Sequence, residues 1–278
     1  MLGRMIDTTT RRSTWALFPA AIMALAAILL FAVGSRTAGL ATLVAALVTA
    51  WITDRLERTR RLLPDLTAIG LGLAVIASIS LHADLSDAGI ARFAFALSLA
   101  VVLPWLFLQY VVKDNPIRFP WGGWRWSRAQ WAYLVLVIVV AYLLLPYYFL
   151  SSGVYRNWPA IHTADELARL FIGVNAVGIW DELFFICTVF VLLRRHLPAW
   201  QANLVQAAIF VSFLWELGYQ SWGPLLTIPF ALVQGAIFQL TKNLTYVITV
   251  HLLFDLVVFL ILVHAHNPDW PHLFVLLT

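Results

Sequence analysis

Residues 171–193 read FIGVNAVGIWDELFFICTVFVLL. The run is as long as a membrane span and is broken at its centre by Asp181 and Glu182. Apolar runs of this length do not come from alternating strands, so the stretch predicts a helix across a bilayer, where about 20 apolar residues span the hydrocarbon. A charge at the bilayer centre costs at least ~2.5–3.5 kcal/mol on insertion scales, so adjacent acids there predict a use. The pattern recurs downstream. Glu216 interrupts the apolar run 204–217, and His251 and Asp255 interrupt the run 244–263.

The whole composition agrees with a membrane reading. The chain is 62% hydrophobic and 12% charged, whereas soluble domains are about a quarter charged. That excludes an ordinary soluble enzyme. The net charge of +4 comes with no extended basic tail, so no nucleic-acid partner is expected. Cys187 is the single cysteine and lies inside a span, so there is no disulfide framework, and the thiol reads as a small core residue. Arg4, Arg11 and Arg12 followed by an apolar run mimic a signal peptide, but the run continues to Val33 and reads as an uncleaved first span.

Apolar windows predict spans near 15–34, 38–53, 66–82, 90–112, 131–150, 168–193, 203–219, 224–240 and 244–264. The fold class is therefore all-α, a polytopic transmembrane bundle of eight to nine spans. With the N-terminus inside, the inner segments hold Arg4, Arg11, Arg12, Arg55, Arg58, Arg60, Arg61, Lys113, Arg118, Arg125, Arg128, Arg194, Arg195 and Lys242. The outer segments keep Arg36, Arg92, Arg156 and Arg169. This bias predicts a cytoplasmic N-terminus in a bacterial inner membrane. The loop from Phe119 to Trp126, rich in tryptophan and glycine, reads as an interfacial anchor and as the joint between two halves. Residues 1–130 form the four-span N-terminal region with this loop, and 131–278 form the C-terminal core.

Counting ~1.5 Å per residue from the inner ends of these spans, Asp181 lies ~18 Å up, Asp255 ~17 Å and Glu216 ~20 Å. His251 and Asp255 are four residues apart and share a helix face. Asp181 and Glu182 are about 100° apart and both border one cavity. A histidine and several carboxylates at one depth can hold a metal through Asp181, Glu182, Glu216, His251 and Asp255. They can equally act on water as general acid and base, or serve as polar glue between helices.

The C-terminal half resembles the CAAX protease and bacteriocin-processing family, also called Abi, over roughly residues 168–260. Asp181-Glu182-Leu183-Phe184-Phe185-Ile186 stands where that family has Glu-Glu-xxx-Arg. Arg194-Arg195, a turn with Pro198 and a new span follow. Residues 235–245 resemble the approach to the last motif, and His251-Leu252-Leu253-Phe254-Asp255 matches His-xxx-Asp. There are departures. Asp181 replaces the first glutamate, whose role in the family is to activate water. Ile186 replaces the arginine. Phe210 plus four falls on Leu214 rather than histidine, with Glu216 the nearest substitute, ~200° around an ideal helix.

The resemblance implies an intramembrane protease that cleaves a membrane-associated substrate, such as a membrane protein or a lipidated peptide. Asp181, Glu182, His251 and Asp255 would be catalytic, with Asp181 or Glu182 as base, His251 and Asp255 as ligands or oxyanion-side groups, and Glu216 contributing. The metal would be zinc, or iron, manganese or magnesium given the oxygen-rich set. One alternative is a catalytically degenerate scaffold, assembly factor or lipid-handling protein with the same fold. Another is a proton-linked carrier, although paired broken helices are not evident and Pro229 marks a single kink. His264, His266 and His272 with Asp269 read as a polar rim. Arg169 and Asn175 read as lining a cavity entrance, and Trp180, Trp215 and Phe185 as packing around the charges.

Overall fold

The computed structural model describes residues 15–58, 61–270 and 274. Arg4, Arg11, Arg12, Arg60 and His272 lie outside the described residues. Among those described, all regular structure is helical, in the order α1 (Leu17–Ala32), α2 (Arg36–Glu57), α3 (Leu62–Ile76), α4 (Asp87–Val112), α5 (Arg128–Ser152), α6 (Ala164–Arg194), α7 (Ala199–Leu217), α8 (Pro224–Thr241) and α9 (Leu244–His266). Each falls on one of the expected apolar windows. Helices α2, α4, α5, α6, α8 and α9 are long and apolar enough to cross a membrane, and α1 and α3 are apolar but shorter. The chain is an integral, polytopic helical membrane protein.

Local sequence sets the helix ends. Ser127 with Gln130 opens α5, and Thr163 with Glu166 opens α6, each pair forming a reciprocal capping box. The Asn243 side chain accepts from Tyr246 N to open α9. Pro224 stands at the first position of α8, where its missing N–H costs nothing. α8 then continues through Pro229 to Thr241. α7 ends at Gly218, whose φ of +134° excludes other residues and brings Trp158 close.

Helices α6 and α9 are central. In α6, 72% of the most apolar window is buried within the protein, and in α9 61%, against 28–39% for the other four long spans. The two helices that carry the mid-span acids Asp181, Glu182 and Asp255 are thus the ones best shielded from lipid. α6 packs against α9, α7, α4 and α8, α5 leans on α9, and α1 lies between α2 and α7. Phe185 stacks on Phe210 at 4.5 Å, and Trp180 stacks on Phe184 at 5.3 Å while donating Nε1–H to Leu97 O at 2.6 Å.

The tryptophan-rich loop before α5 is pinned to the start of α9. Leu244 N donates to Pro120 O at 3.0 Å, and Asn243 Nδ2 donates to Gly123 O at 3.1 Å. Trp126 packs on Trp131 and Tyr246, while Trp121 and Trp124 stay exposed.

Candidate active site

α6 changes winding where its acids sit. Residues 164–181 form an α-helix, and Glu182–Phe190 continues in wider π-type turns. Thr188 Oγ1 donates to Leu183 O, five residues back, at 3.0 Å. Such wide turns are rare and are often found at functional sites. They rotate the residues after Asp181 away from their α-helical positions.

His251 of α9 meets both acids. Its Nδ1 is 2.7 Å from Glu182 Oε1, and its Nε2 is 3.7 Å from Asp181 Oδ2 and 3.8 Å from Asp255 Oδ1. The first contact is a hydrogen bond, and the other two are too long for one. Neighbouring acids on one helix can serve one imidazole because its two nitrogens face different directions. Asp181, Glu182, His251 and Asp255 are all buried, none more than 5% exposed.

The cluster is incompletely satisfied. Asp181 Oδ1, Glu182 Oε2 and Asp255 Oδ2 are buried and find no hydrogen-bond partner in the protein. Each such group costs about 1–3 kcal/mol. Phe230 stands edge-on to the His251 ring at 5.0 Å, and Phe210 lies at 6.2 Å. The charges therefore face an aromatic wall.

Two contributors escaped the sequence reading. Gly178, one turn before Glu182, lets α9 approach: a Cβ there would collide with Asp255 Oδ2 and lie 3.2 Å from His251 Cδ2. Gln234 of α8 donates Nε2–H to Glu182 Oε1 at 2.8 Å. The glycine could have been flagged as the small residue one turn from two buried acids. An isolated glutamine in an apolar helix carried no comparable signal.

The other expected residues lie elsewhere. Glu216 accepts a backbone hydrogen bond from Leu81 and faces Arg36, so it serves the far end of α7 rather than the histidine. Its expected rotation around α7 is not undone by a bulge, since α7 is regular to Leu217. Arg169 is engaged by Asp165 at 2.7 Å and Asp87 at 2.5 Å, and Asn175 donates to Phe171 O within its own helix. Ile186 and Leu214 are buried apolar residues at the motif positions that depart from the family. Cys187 is buried.

A resident metal would need three or more close donors. Among the described residues, no three His, Cys, Asp or Glu side chains form such a group. Glu182 Oε1 is already shared by His251 and Gln234, and Glu216 is away from the cluster. As placed, the donors do not fit a bound ion.

Neither the curated proteins nor the solved structures give a match. Residues 163–257 match the family model described as type II CAAX prenyl endopeptidase Rce1-like. The match runs from the cap of α6 to just past Asp255 and so contains all four clustered residues. Over residues 163–257, about a third of the chain, the protein is thus similar to the CAAX protease type of membrane endopeptidase.

Proposed function

We propose that this protein is an intramembrane endopeptidase that hydrolyses a peptide bond of a membrane-associated substrate, with a prenylated peptide as the substrate class suggested by the matched family's description. One observation carries the reading: a buried imidazole faces three carboxylates, each with one oxygen left unpartnered. A fold that needed these groups only as glue would have paired them.

In this reading the substrate water lies between His251 Nε2, Asp181 and Asp255. Asp181, whose Oδ1 is uncommitted, takes a proton from the water as its oxygen attacks the scissile carbonyl. The carbon–nitrogen bond then breaks, and the proton passes to the leaving amine. Glu182 holds the imidazole, and the ring accepts a hydrogen bond from the water at Nε2 and so orients it. Phe210 and Phe230 exclude bulk water. A divalent ion, expected from the sequence, would find its donors only if Asp181 and Asp255 turned towards Nε2. Metal analysis of purified protein tests that variation. The arginine and lysine bias supports an N-terminus on the cytoplasmic side of the membrane.

The test is cleavage of a farnesylated peptide by protein in lipid vesicles, in water enriched with heavy oxygen. The reading expects one heavy oxygen in the new carboxylate and no product with Asp181→Asn. A non-catalytic scaffold is the second reading, favoured by the buried Ile186 and Leu214 where the family has arginine and histidine. It expects no cleavage by the wild-type protein.

A further inference from the structure

Gln234 is fully buried on α8. Its Nε2 donates to Glu182 Oε1 at 2.8 Å and to Val247 O at 3.3 Å. Both neighbours are acceptors, so the amide has one sensible orientation: turned over, its own oxygen would oppose two others. Glu182 Oε1 thus already accepts one N–H. Its second partner is His251 Nδ1 at 2.7 Å. An oxygen that accepts from the amide and accepts again from the ring requires the hydrogen to sit on Nδ1. The neutral imidazole then has its lone pair on Nε2, the nitrogen that faces Asp181 and Asp255. Val247 lies one turn before His251 on α9, so a single amide ties the acid on α6 to the backbone that carries the histidine.

We propose that Gln234 is a positioning residue that holds Glu182 as an acceptor and so fixes His251 as the Nδ1–H tautomer, with Nε2 presented to the substrate water. The role for Nε2 rests on the hydrolase reading. The tautomer does not. Hydrogen bonding at the far nitrogen is the usual means by which a protein chooses the working nitrogen of a histidine, and at metal-bound histidines loss of such an outer partner typically costs about 10–100-fold.

Solid-state nitrogen NMR of histidine-labelled protein in lipid vesicles reads the tautomer directly, at a pH where the ring is neutral. The His251→Ala difference spectrum assigns the signal among the seven histidines. The expected wild-type result is a protonated Nδ1 and a bare Nε2. Gln234→Met, similar in length but without a donor, should give a mixed or reversed tautomer. It should also lower kcat for peptide cleavage about 10–100-fold with KM little changed. A wild-type ring protonated at Nε2 instead would overturn the proposal whether or not the variant folds, as would an unchanged tautomer in a folded Gln234→Met. A wild-type protein with the expected tautomer but no peptidase activity would refute the hydrolase reading alone.

Discussion

Asp65 with His196, and Glu182 with His251, are both buried acid–imidazole pairs that join helices distant in sequence. The first lies at the end of the bundle where α3 meets the α6–α7 turn. Both Asp65 oxygens are used, Oδ2 by His196 Nε2 at 2.7 Å and Oδ1 by Arg195 Nη1 at 2.9 Å. Arg195 continues to Asp114 at 2.6 Å, which also meets Arg61 at 3.3 Å. The second pair, in the interior of α6 and α9, lies beside Asp181 and Asp255, and the three carboxylates each keep an unpartnered oxygen. The completed network fastens the N-terminal helices to the turn between α6 and α7, and the incomplete one retains capacity for a ligand. Burial of charge alone does not separate the two. Completion of the hydrogen bonds does.

Substitutions should therefore split the two clusters by phenotype. The largest expected effect is on catalysis: His251→Ala should lower peptide cleavage by folded protein about 10²–10⁴-fold, a loss beyond what its lowered unfolding temperature accounts for. Equal losses of folding and activity would erase the distinction. Asp65→Ala should do the reverse. It strands Arg195 and His196, and removing one partner of a buried pair costs about 3–5 kcal/mol, visible as a lowered unfolding temperature, while the folded fraction keeps its specific activity. Gly178→Ala should be intermediate. Its Cβ displaces the Asp255 carboxylate, at a cost of about 1–3 kcal/mol typical of overpacking, and activity measured against folded protein should fall more than stability. Glu216→Gln should be the mildest. It keeps a side-chain acceptor for Leu81, so stability should shift by no more than about 1 kcal/mol, and activity should be untouched. A large activity loss there would return Glu216 to the site.

The helices were legible because apolar length is a one-dimensional signal, and each of the nine expected windows contains one. The pairing of α6 with α9 was legible too, since buried charge has to meet buried charge and the depths of Asp181, His251 and Asp255 agree. Glu216 misled because depth says nothing of azimuth. It lies at a similar height on α7 but turns towards Arg36. The wide turns after Asp181 were invisible, because nothing in 182–190 departs from an ordinary apolar helix. Gln234 was missed for a related reason. Its role depends on which helix face meets Glu182, a fact of packing rather than of pattern. The Asp65–His196 network escaped because its members lie as much as 131 residues apart and sit at helix ends, where charges are commonplace.

The most direct measurement is cleavage of a farnesylated peptide by purified protein in lipid vesicles, comparing wild type with His251→Ala and His196→Ala at matched folded concentration. The account predicts product from the wild type and from His196→Ala, and none above background from His251→Ala. Absence of product from the wild type, or equal turnover by His251→Ala, would contradict it.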